Sequence, residues 1–322
     1  MYDIYDHGRM IADRVRGDAY ARAIATTVRP GDVVVDLGTG TGVFAVLACR
    51  AGARRVYAIE PSGIIEVARE IAAANGCLDR IELLQADARA VELTERANVV
   101  IADLRGTIPF FTAALAVLID ARNRFLAEGG ALIPQKDTMA VALAESPEAY
   151  AVHDQPWASQ GASRWEGIDL TPARRLTVNG MKKRMIEPKE LISEPAMVVS
   201  IDYETVATTD FQATIELRAT RDGTAHGFTL WFDSRLAPGI GFSNAPGSPP
   251  AIYGCSFVPF EWPVEVRQDD SIVVDLGARF ISDADDYLWR WNTLMKSGGG
   301  EVRPLFRQST FFSYPLKSGM AE

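Results

Sequence analysis

The fold of this chain is decided by the stretch Val33-Val34-Val35-Asp36-Leu37-Gly38-Thr39-Gly40-Thr41-Gly42. An apolar, β-branched run that ends in an acidic residue and three alternating glycines predicts a buried strand, a tight loop and then a helix. Glycine accepts positive φ and, lacking a Cβ, lets a ligand lie against the main chain. The following helix turns its free N–H groups toward such a ligand. The stretch therefore predicts a cofactor cradle, with a plain glycine-rich turn as the alternative.

The spacing of the glycines separates two classes of cofactor. A dinucleotide fingerprint would place its third glycine at Val43, whereas this chain has Gly42, which gives D-x-G-x-G-x-G. That pattern resembles the first motif of class I S-adenosylmethionine (SAM) methyltransferases. Glu60 ends a second apolar run. It follows the glycine loop at close to the sequence spacing of about 20 residues at which a carboxylate meets ribose hydroxyls. NAD proteins share that carboxylate, which also disfavours a 2′-phosphate, so it is the glycine spacing that favours SAM.

Residues 32–134 alternate between strand-like and helix-like patterns, behind an amphipathic stretch that predicts one helix or two short ones. This order predicts an α/β fold with a parallel, doubly wound sheet, whose ligands bind at the carboxyl ends of the strands. Pro61 is expected to start a helix. The predicted strands are 33–36, 55–60, 81–85, 99–103 and 131–133, and the predicted helices are 43–50, 64–75 and 112–126.

Four acidic residues lie at or just past the ends of these predicted strands: Asp36, Glu60, Asp87 and Asp103. Because the carboxyl ends of parallel strands share one edge, we expect these carboxylates near the cofactor. For Asp87, an isolated surface carboxylate is the alternative interpretation.

The alternation of strand-like and helix-like patterns ends at Pro134. Residues 139–144 predict a strand or a short helix, and residues 145–195 are polar, with Trp157, Trp165 and a basic run at 182–184. From residue 197 onward, short β-branched and aromatic runs between turn residues predict an all-β domain of barrel type, followed by an aromatic tail at 306–315 that packs back. We therefore expect two domains, 1–134 and 135–322. The predicted strands of the second domain are 198–201, 213–218, 227–234, 252–257, 271–276 and 287–292.

Composition narrows the range of functions. The 322 residues carry a formal net charge of −9, which argues against a nucleic-acid binder held by a basic surface. Three scattered cysteines indicate a reducing compartment and neither a disulfide framework nor a metal site. No apolar run is long enough to span a membrane, and the first residues lack a signal-peptide pattern. We expect a cytoplasmic protein without nucleic-acid or membrane partners.

The order of these parts resembles the protein arginine methyltransferase (PRMT) family over nearly the whole chain. Residues 10–16, followed by Ala19 and Tyr20, look like the helix that precedes the sheet in that family. Residues 36–42 match its glycine loop, and residues 51–60 match the strand that ends in the ribose carboxylate. Residues 127–134 resemble its L-x-x-x-G-x-x-I-P exit from the sheet, and residues 241–243 and 248–249 resemble a barrel segment next to the substrate site.

The resemblance implies a SAM-binding Rossmann-like sheet, a β-barrel substrate domain and a dimerisation arm at about 145–195, hence a head-to-tail homodimer. It also implies that Arg16 holds the SAM carboxylate with His7 nearby, and that Glu60 binds the ribose. The predicted cofactor-binding residues are His7, Met10, Arg16, Asp36, Gly38, Gly40, Gly42, Glu60, Pro61, Asp87, Ala88 and Asp103.

Departures from the family lie in the loop after the fourth strand, where PRMTs carry two glutamates that clamp a guanidinium. Asp103 stands at the first position, Thr112 at the second, and Arg105 adds a cation between them. The family's Thr-His-Trp segment reads Ala251-Ile252-Tyr253. Because two carboxylates grip guanidinium in a charge-assisted, bidentate manner, this change predicts weaker binding of arginine. Arg105 is expected to hold a carboxylate or phosphate of a small acceptor, with a structural pair to Asp103 as the alternative.

Methyl transfer from SAM is a direct displacement, so the protein mainly aligns the reactants. The candidate catalytic residues are Asp103, to orient the acceptor or take its proton, Arg105, and Tyr5, to line the pocket. The main hypothesis is an N- or O-methyltransferase that acts on a small molecule. A divergent protein arginine methyltransferase, whose clamp is completed by Glu145, Glu261 or Glu265, and a non-catalytic SAM-binding scaffold are the alternatives, with a nicotinamide enzyme as a distant fourth.

Overall fold

The computed structural model describes residues 2–157 and 167–313. Two helices precede the first sheet, α1 (Ile4–Ala12) and α2 (Arg14–Thr27), so that the amphipathic stretch forms two short helices. Asp13 separates them because its side chain accepts a hydrogen bond from the Arg16 N–H and so caps α2.

The first sheet is parallel, in the strand order β3-β2-β1-β4-β5. All five residues of β1 are buried, as the β-branched run predicts. Helices α3, α4 and α5 connect these strands, which confirms the doubly wound α/β prediction. The order reverses between β1 and β4, and this is where such sheets bind ligands. The bounds are β1 Val33–Leu37, α3 Val43–Arg50, β2 Arg55–Ile59, α4 Ile65–Ala74, β3 Ile81–Leu84, β4 Ala97–Ala102, α5 Ala114–Phe125 and β5 Leu126–Ile133.

One local prediction is wrong. Pro61 does not start α4, because a turn occupies residues 62–64 and the helix begins at Ile65. Pro61 therefore lies in an exposed turn directly behind Glu60.

The second half of the chain forms two antiparallel sheets. One has the order β7-β12-β10-β6-β8 with β11 paired to β10, and the other has the order β15-β14-β13-β9. Residues 139–144, for which the sequence allowed a strand or a short helix, form part of a strand. The bounds are β6 Lys136–Ala144, β7 Lys182–Arg184, β8 Ala196–Asp202, β9 Phe211–Arg218, β10 Gly223–Ala237, β11 Ile240–Ser243, β12 Cys255–Val266, β13 Ser271–Ile281, β14 Asp286–Lys296 and β15 Val302–Ser309.

The two antiparallel sheets enclose a common core, as the predicted all-β domain requires. Phe228 and Phe260 of one sheet and Trp291 of the other belong to a single cluster of buried side chains. The same cluster continues into the parallel sheet through residues such as Val35 and Phe125. The predicted boundary at residue 134 lies between β5 and β6, but because one core spans both sides, the division into two domains stays a prediction.

The predicted arm contains two helices, α6 (Pro147–Asp154) and α7 (Thr171–Thr177), and the short strand β7. Arg174 of α7 is buried, donates to the Tyr150 hydroxyl at 2.7 Å and stacks on the Trp262 ring at 3.6 Å, so α7 is tied to α6 and to β12. Trp165 and residues 314 and 315 of the tail lie outside the described residues. Within the described ranges, no helix combines the length and the apolar character that a membrane crossing needs.

Candidate active site

The glycine loop has the backbone that the sequence predicts. Gly38, Gly40 and Gly42 have φ angles of 64°, 54° and 79°, a region that side chains with a Cβ rarely adopt. A Cβ on Gly38 would lie 2.5 Å from a methyl carbon of Leu104, and one on Gly40 would lie 3.1 Å from the His7 ring. The loop is therefore in contact with α1 and with the segment that follows β4.

Glu60 joins this loop to the end of β2. Its carboxylate accepts hydrogen bonds from the Gly40 N–H at 3.2 Å and from the Ser62 N–H at 3.0 Å. The side chain is only partly buried, and each carboxylate oxygen has further lone pairs. Glu60 is thus fixed beside the glycines with acceptor capacity left for sugar hydroxyls.

Asp36 lies beneath the same loop and is buried. Burial raises the pKa of its carboxyl group to about 7, although hydrogen bonds from the Thr39 hydroxyl and the Ala45 N–H act in the opposite direction. Asp36 therefore holds the loop and the start of α3 together from below.

Arg16 reaches the crevice from α2. Its Nε donates to Asp103, its Nη1 donates to the carbonyl of Met10 at 3.2 Å, and its guanidinium lies 5.1 Å from the Phe44 ring centroid. Among the described residues, Nη2 has no hydrogen-bond partner. This nitrogen is available for a ligand carboxylate, as the resemblance implies for Arg16.

Asp103 follows β4 and is the most heavily bonded carboxylate of the site. It accepts hydrogen bonds from Arg16, from Arg105 at 3.0 Å and from the Tyr253 hydroxyl at 2.7 and 2.8 Å. Burial raises the pKa of Asp103, but the two guanidinium charges and the Tyr253 hydroxyl outweigh it and lower the pKa to about 2. Asp103 is therefore ionised at any ordinary pH and is a weak base.

Arg105 is buried in a network between the parallel sheet and the β domain. Its Nη1 donates to both oxygens of Asp137, at 2.9 and 3.0 Å, and to the Ser234 hydroxyl at 2.6 Å. Its Nη2 donates to Asp103 and to the Tyr20 hydroxyl. These contacts agree with the alternative given for Arg105 in the sequence analysis, a structural pair with Asp103. They give no support to the expectation that Arg105 holds an acceptor.

The remaining predicted residues are less closely assembled. Tyr5 is 79% exposed, and so its ring lines no enclosed site. Asp87 caps a short 3₁₀ turn and binds Arg89, which also binds Asp285 of the β domain at 2.7 Å. Ala88 is buried, and its carbonyl accepts from Arg124. The roles of Tyr5, Asp87, Ala88 and Pro61 stay predictions.

Sequence reasoning missed several members of the network, among them Tyr253 and Asp137, because these two lie in the β domain, outside the motifs of the parallel sheet. The only available signal was the position of Tyr253 in the segment that replaces the family's Thr-His-Trp. Two of the three carboxylates considered as substitutes in the clamp are engaged elsewhere: Glu145 binds Arg221 and the Thr224 N–H, and Glu265 accepts from the Thr224 hydroxyl. For Glu261 the role in the clamp stays a prediction.

The residues around the crevice fit SAM. The glycines leave the main chain open, Glu60 faces that main chain with spare acceptor capacity, and Arg16 offers one free guanidinium nitrogen. His7 lies over Gly40 and the carbonyl of Met10 positions Arg16. Glu60 would hold the ribose and Arg16 the carboxylate, while the glycines, which have no side chain, would let the remainder lie against the main chain.

The first prediction concerns the glycine loop. Gly40→Val should weaken binding of the SAM product S-adenosylhomocysteine (AdoHcy) about tenfold or more, because a branched side chain strains the positive φ and fills the cradle. Gly239→Val is the control, since Gly239 also has positive φ but lies in the β10–β11 turn with open space around it. Calorimetry measures both affinities; equal values for the two variants would remove the cradle assignment.

The second prediction concerns Asp36. Its pKa of about 7 in the folded protein lies above the ordinary value of 3.8, so the folded state holds a proton that the unfolded state has released between these pH values. The free energy of unfolding of the cofactor-free protein should therefore fall by on the order of 3 kcal/mol as pH rises from about 4 to 7. Asp36→Asn should lack this component. Denaturant titrations at several pH values measure the difference, and parallel pH curves for the two proteins would contradict it.

Two protein-family models match the chain, one on each half. The model described as the arginine methyltransferase oligomerization subdomain matches residues 136–292. The model described as ribosomal protein L11 methyltransferase (PrmA) matches residues 21–134, which contain the glycine loop, Glu60 and Asp103.

Curated relatives and solved structures agree with these matches. A probable protein arginine N-methyltransferase 6 of Arabidopsis thaliana is 27% identical over 83% of this chain and 71% of that protein. A protein arginine N-methyltransferase 1 of Dictyostelium discoideum is 25% identical over 83% of this chain and 79% of that protein. The fold is that of protein arginine methyltransferase 10 of Arabidopsis thaliana (TM-score 0.83, 22% identity, 95% of this chain and 97% of the other).

A second structure, the PRMT1 enzyme–prozyme heterotetrameric complex of Trypanosoma brucei with AdoHcy, has the same fold (TM-score 0.83, 22% identity, 94% of this chain and 96% of the other). The resemblance seen in the motifs is thus confirmed over both halves of the chain. Together with the geometry of the crevice, these matches identify the protein as a SAM-dependent methyltransferase that is similar to the protein arginine methyltransferases.

Proposed function

We propose that this protein transfers the methyl group of SAM to a guanidino nitrogen of an arginine side chain in a protein or peptide. The observation that carries the proposal is the surroundings of Asp103, a buried carboxylate next to the glycine loop whose partners already include two guanidinium groups. The curated relatives, named as protein arginine N-methyltransferases, support the same acceptor. This choice replaces the small-molecule acceptor that the sequence alone favoured.

When bound, SAM supplies an electrophilic methyl group on a sulfonium. The chain's own residues then bind and align: Glu60 and Arg16 fix the cofactor, and Asp103 orients an acceptor N–H. Because Leu104 packs against Gly38, Asp103 lies one residue from a side chain in contact with the glycine loop. This proximity favours the in-line approach on which methyl transfer depends.

The electrostatics of Asp103 assign it an orienting role in the reaction. A carboxylate with a pKa of about 2 accepts hydrogen bonds but does not retain a proton at neutral pH. The acceptor nitrogen must lose one proton during methylation, and under this proposal solvent takes that proton. Asp103 stabilises the positive charge of the guanidino group and fixes its direction.

A small acceptor without positive charge is the second candidate. Arg16 and Arg105 balance the charges of Asp103 and Asp137, and the position of the family's second glutamate is taken by the neutral Thr112. A cationic acceptor would therefore meet a site without net negative charge.

The family model that matches most of the β domain supports a further part of the proposal, self-association through the arm at about 145–195. The family model on residues 136–292 is described as an oligomerization subdomain. A homodimer is accordingly part of the proposed function, as is the cytoplasmic location expected from the sequence.

The third prediction tests the acceptor. With isotopically labelled SAM, the protein should methylate a glycine- and arginine-rich peptide but not the same peptide with lysine at every arginine, because only guanidinium offers Asp103 a planar pair of donors. Mass spectrometry locates the label. Methylation of both peptides, or of neither while a small-molecule mixture is labelled, would refute the arginine assignment and favour the second candidate.

The fourth prediction restores the missing carboxylate. Thr112→Glu should lower the KM for the arginine peptide by about tenfold, because it adds a charge-assisted partner for guanidinium. Thr112→Gln is the matched control, since it has the same shape without the charge and should leave KM within about twofold. Equal KM values for the two variants would show that residue 112 does not face the acceptor.

A further inference from the structure

The three donors that surround Asp103 differ in how firmly other contacts hold them. Arg105 also binds Asp137, Ser234 and Tyr20, and Arg16 also binds the carbonyl of Met10. The Tyr253 hydroxyl, in contrast, has no other hydrogen-bond partner among the described residues than the two oxygens of Asp103. It is also the only uncharged donor of the three.

The ring of Tyr253 is held independently of its hydroxyl. It stacks on Phe242, with the ring centroids 5.7 Å apart and the planes 7° apart, and meets the edge of Phe232 at 5.2 Å. The preceding residue, Ile252, donates its N–H to Asp13 at 2.7 Å. The β domain therefore presents this hydroxyl to Asp103 from a fixed aromatic group, and removing the oxygen leaves the packing in place.

We propose that Tyr253 determines the affinity for the acceptor, because its hydroxyl competes with the acceptor for the lone pairs of Asp103. The inference rests on the proposed function and extends it. An incoming guanidinium has to take up lone pairs of a carboxylate that already accepts from three groups. The two arginines are charged and bound elsewhere, so the neutral hydroxyl is the donor that gives way. The hydroxyl thereby makes binding at Asp103 dependent on a stronger, charged donor.

The test is Tyr253→Phe, which deletes the competing oxygen and keeps the aromatic ring. In the presence of AdoHcy, its affinity for the arginine peptide should rise about tenfold, the lower end of the value of one hydrogen bond to an ionised carboxylate. Its affinity for the same peptide with norleucine in place of arginine, which offers Asp103 no donor, should not change, and neither should its affinity for AdoHcy. Calorimetry measures all three affinities on the intact protein.

Tyr57→Phe is the matched control, because Tyr57 is equally buried and its hydroxyl contacts Thr94 instead of the site. This variant should bind both peptides like the unmodified protein. Thermal unfolding of Tyr253→Phe, compared with that of Tyr57→Phe, checks that the fold is intact.

The outcomes separate this inference from the proposed function. If the unmodified protein methylates the arginine peptide and Tyr253→Phe binds it no better or more weakly, the competition is overturned and the function stands. If the unmodified protein does not methylate the peptide but Tyr253→Phe binds it more tightly than the unmodified protein does, with no such gain for the norleucine peptide, the competition stands and the acceptor assignment fails. If neither protein distinguishes the two peptides, both are overturned.

Discussion

The rest of the structure depends on the hydrogen bonds and ion pairs that the Asp103 carboxylate accepts. This carboxylate lies at the end of β4, next to the central strand, and binds Arg16 of α2, Arg105 of its own loop and Tyr253 of the β domain. The leading helices, the parallel sheet and the β domain therefore meet at one group. Removing one charged partner of a buried ion pair of this kind costs about 3–5 kcal/mol, so the loop after β4 has little freedom to change.

The guanidinium of Arg105 is bound by two carboxylates, as an acceptor arginine would be in the clamp expected for the PRMT family. It lies between two carboxylates, Asp103 at 3.0 Å and Asp137 at 2.9 Å, and near the rings of Phe232 and Phe242. Two carboxylates around a guanidinium are the arrangement that the PRMT family offers its acceptor. In this chain the arrangement also occurs internally and ties the sheet to the β domain. The charge that remains for an acceptor is correspondingly small.

The parts of the fold that follow from local pattern could be predicted from the sequence, namely the glycine loop, the alternation of strands and helices, and most strands of the β domain. Strand β12 was predicted too short because Pro259 and Pro263 lie inside it, and prolines normally end a strand; a shift of register beside Pro259 accommodates the first. In the site, Glu60 was predicted from motif spacing and Arg16 from the resemblance to the PRMT family. Tyr253 and Asp137 were not predicted, since they lie 150 and 32 residues from their partners and no local pattern encodes such contacts.

A single, crowded carboxylate is compatible with catalysis because affinity and rate depend on different properties of the site. Binding energy that is equal in the ground state and the transition state lowers KM without raising kcat. Methyl transfer depends instead on the direction of approach, and the three partners of Asp103 hold it in one orientation before any acceptor arrives. Under the proposed function, having Thr112 in place of the second glutamate removes attraction for the acceptor and leaves this preorganised direction intact. The divergence of the loop would then bear on which acceptor binds more than on whether a bound acceptor reacts.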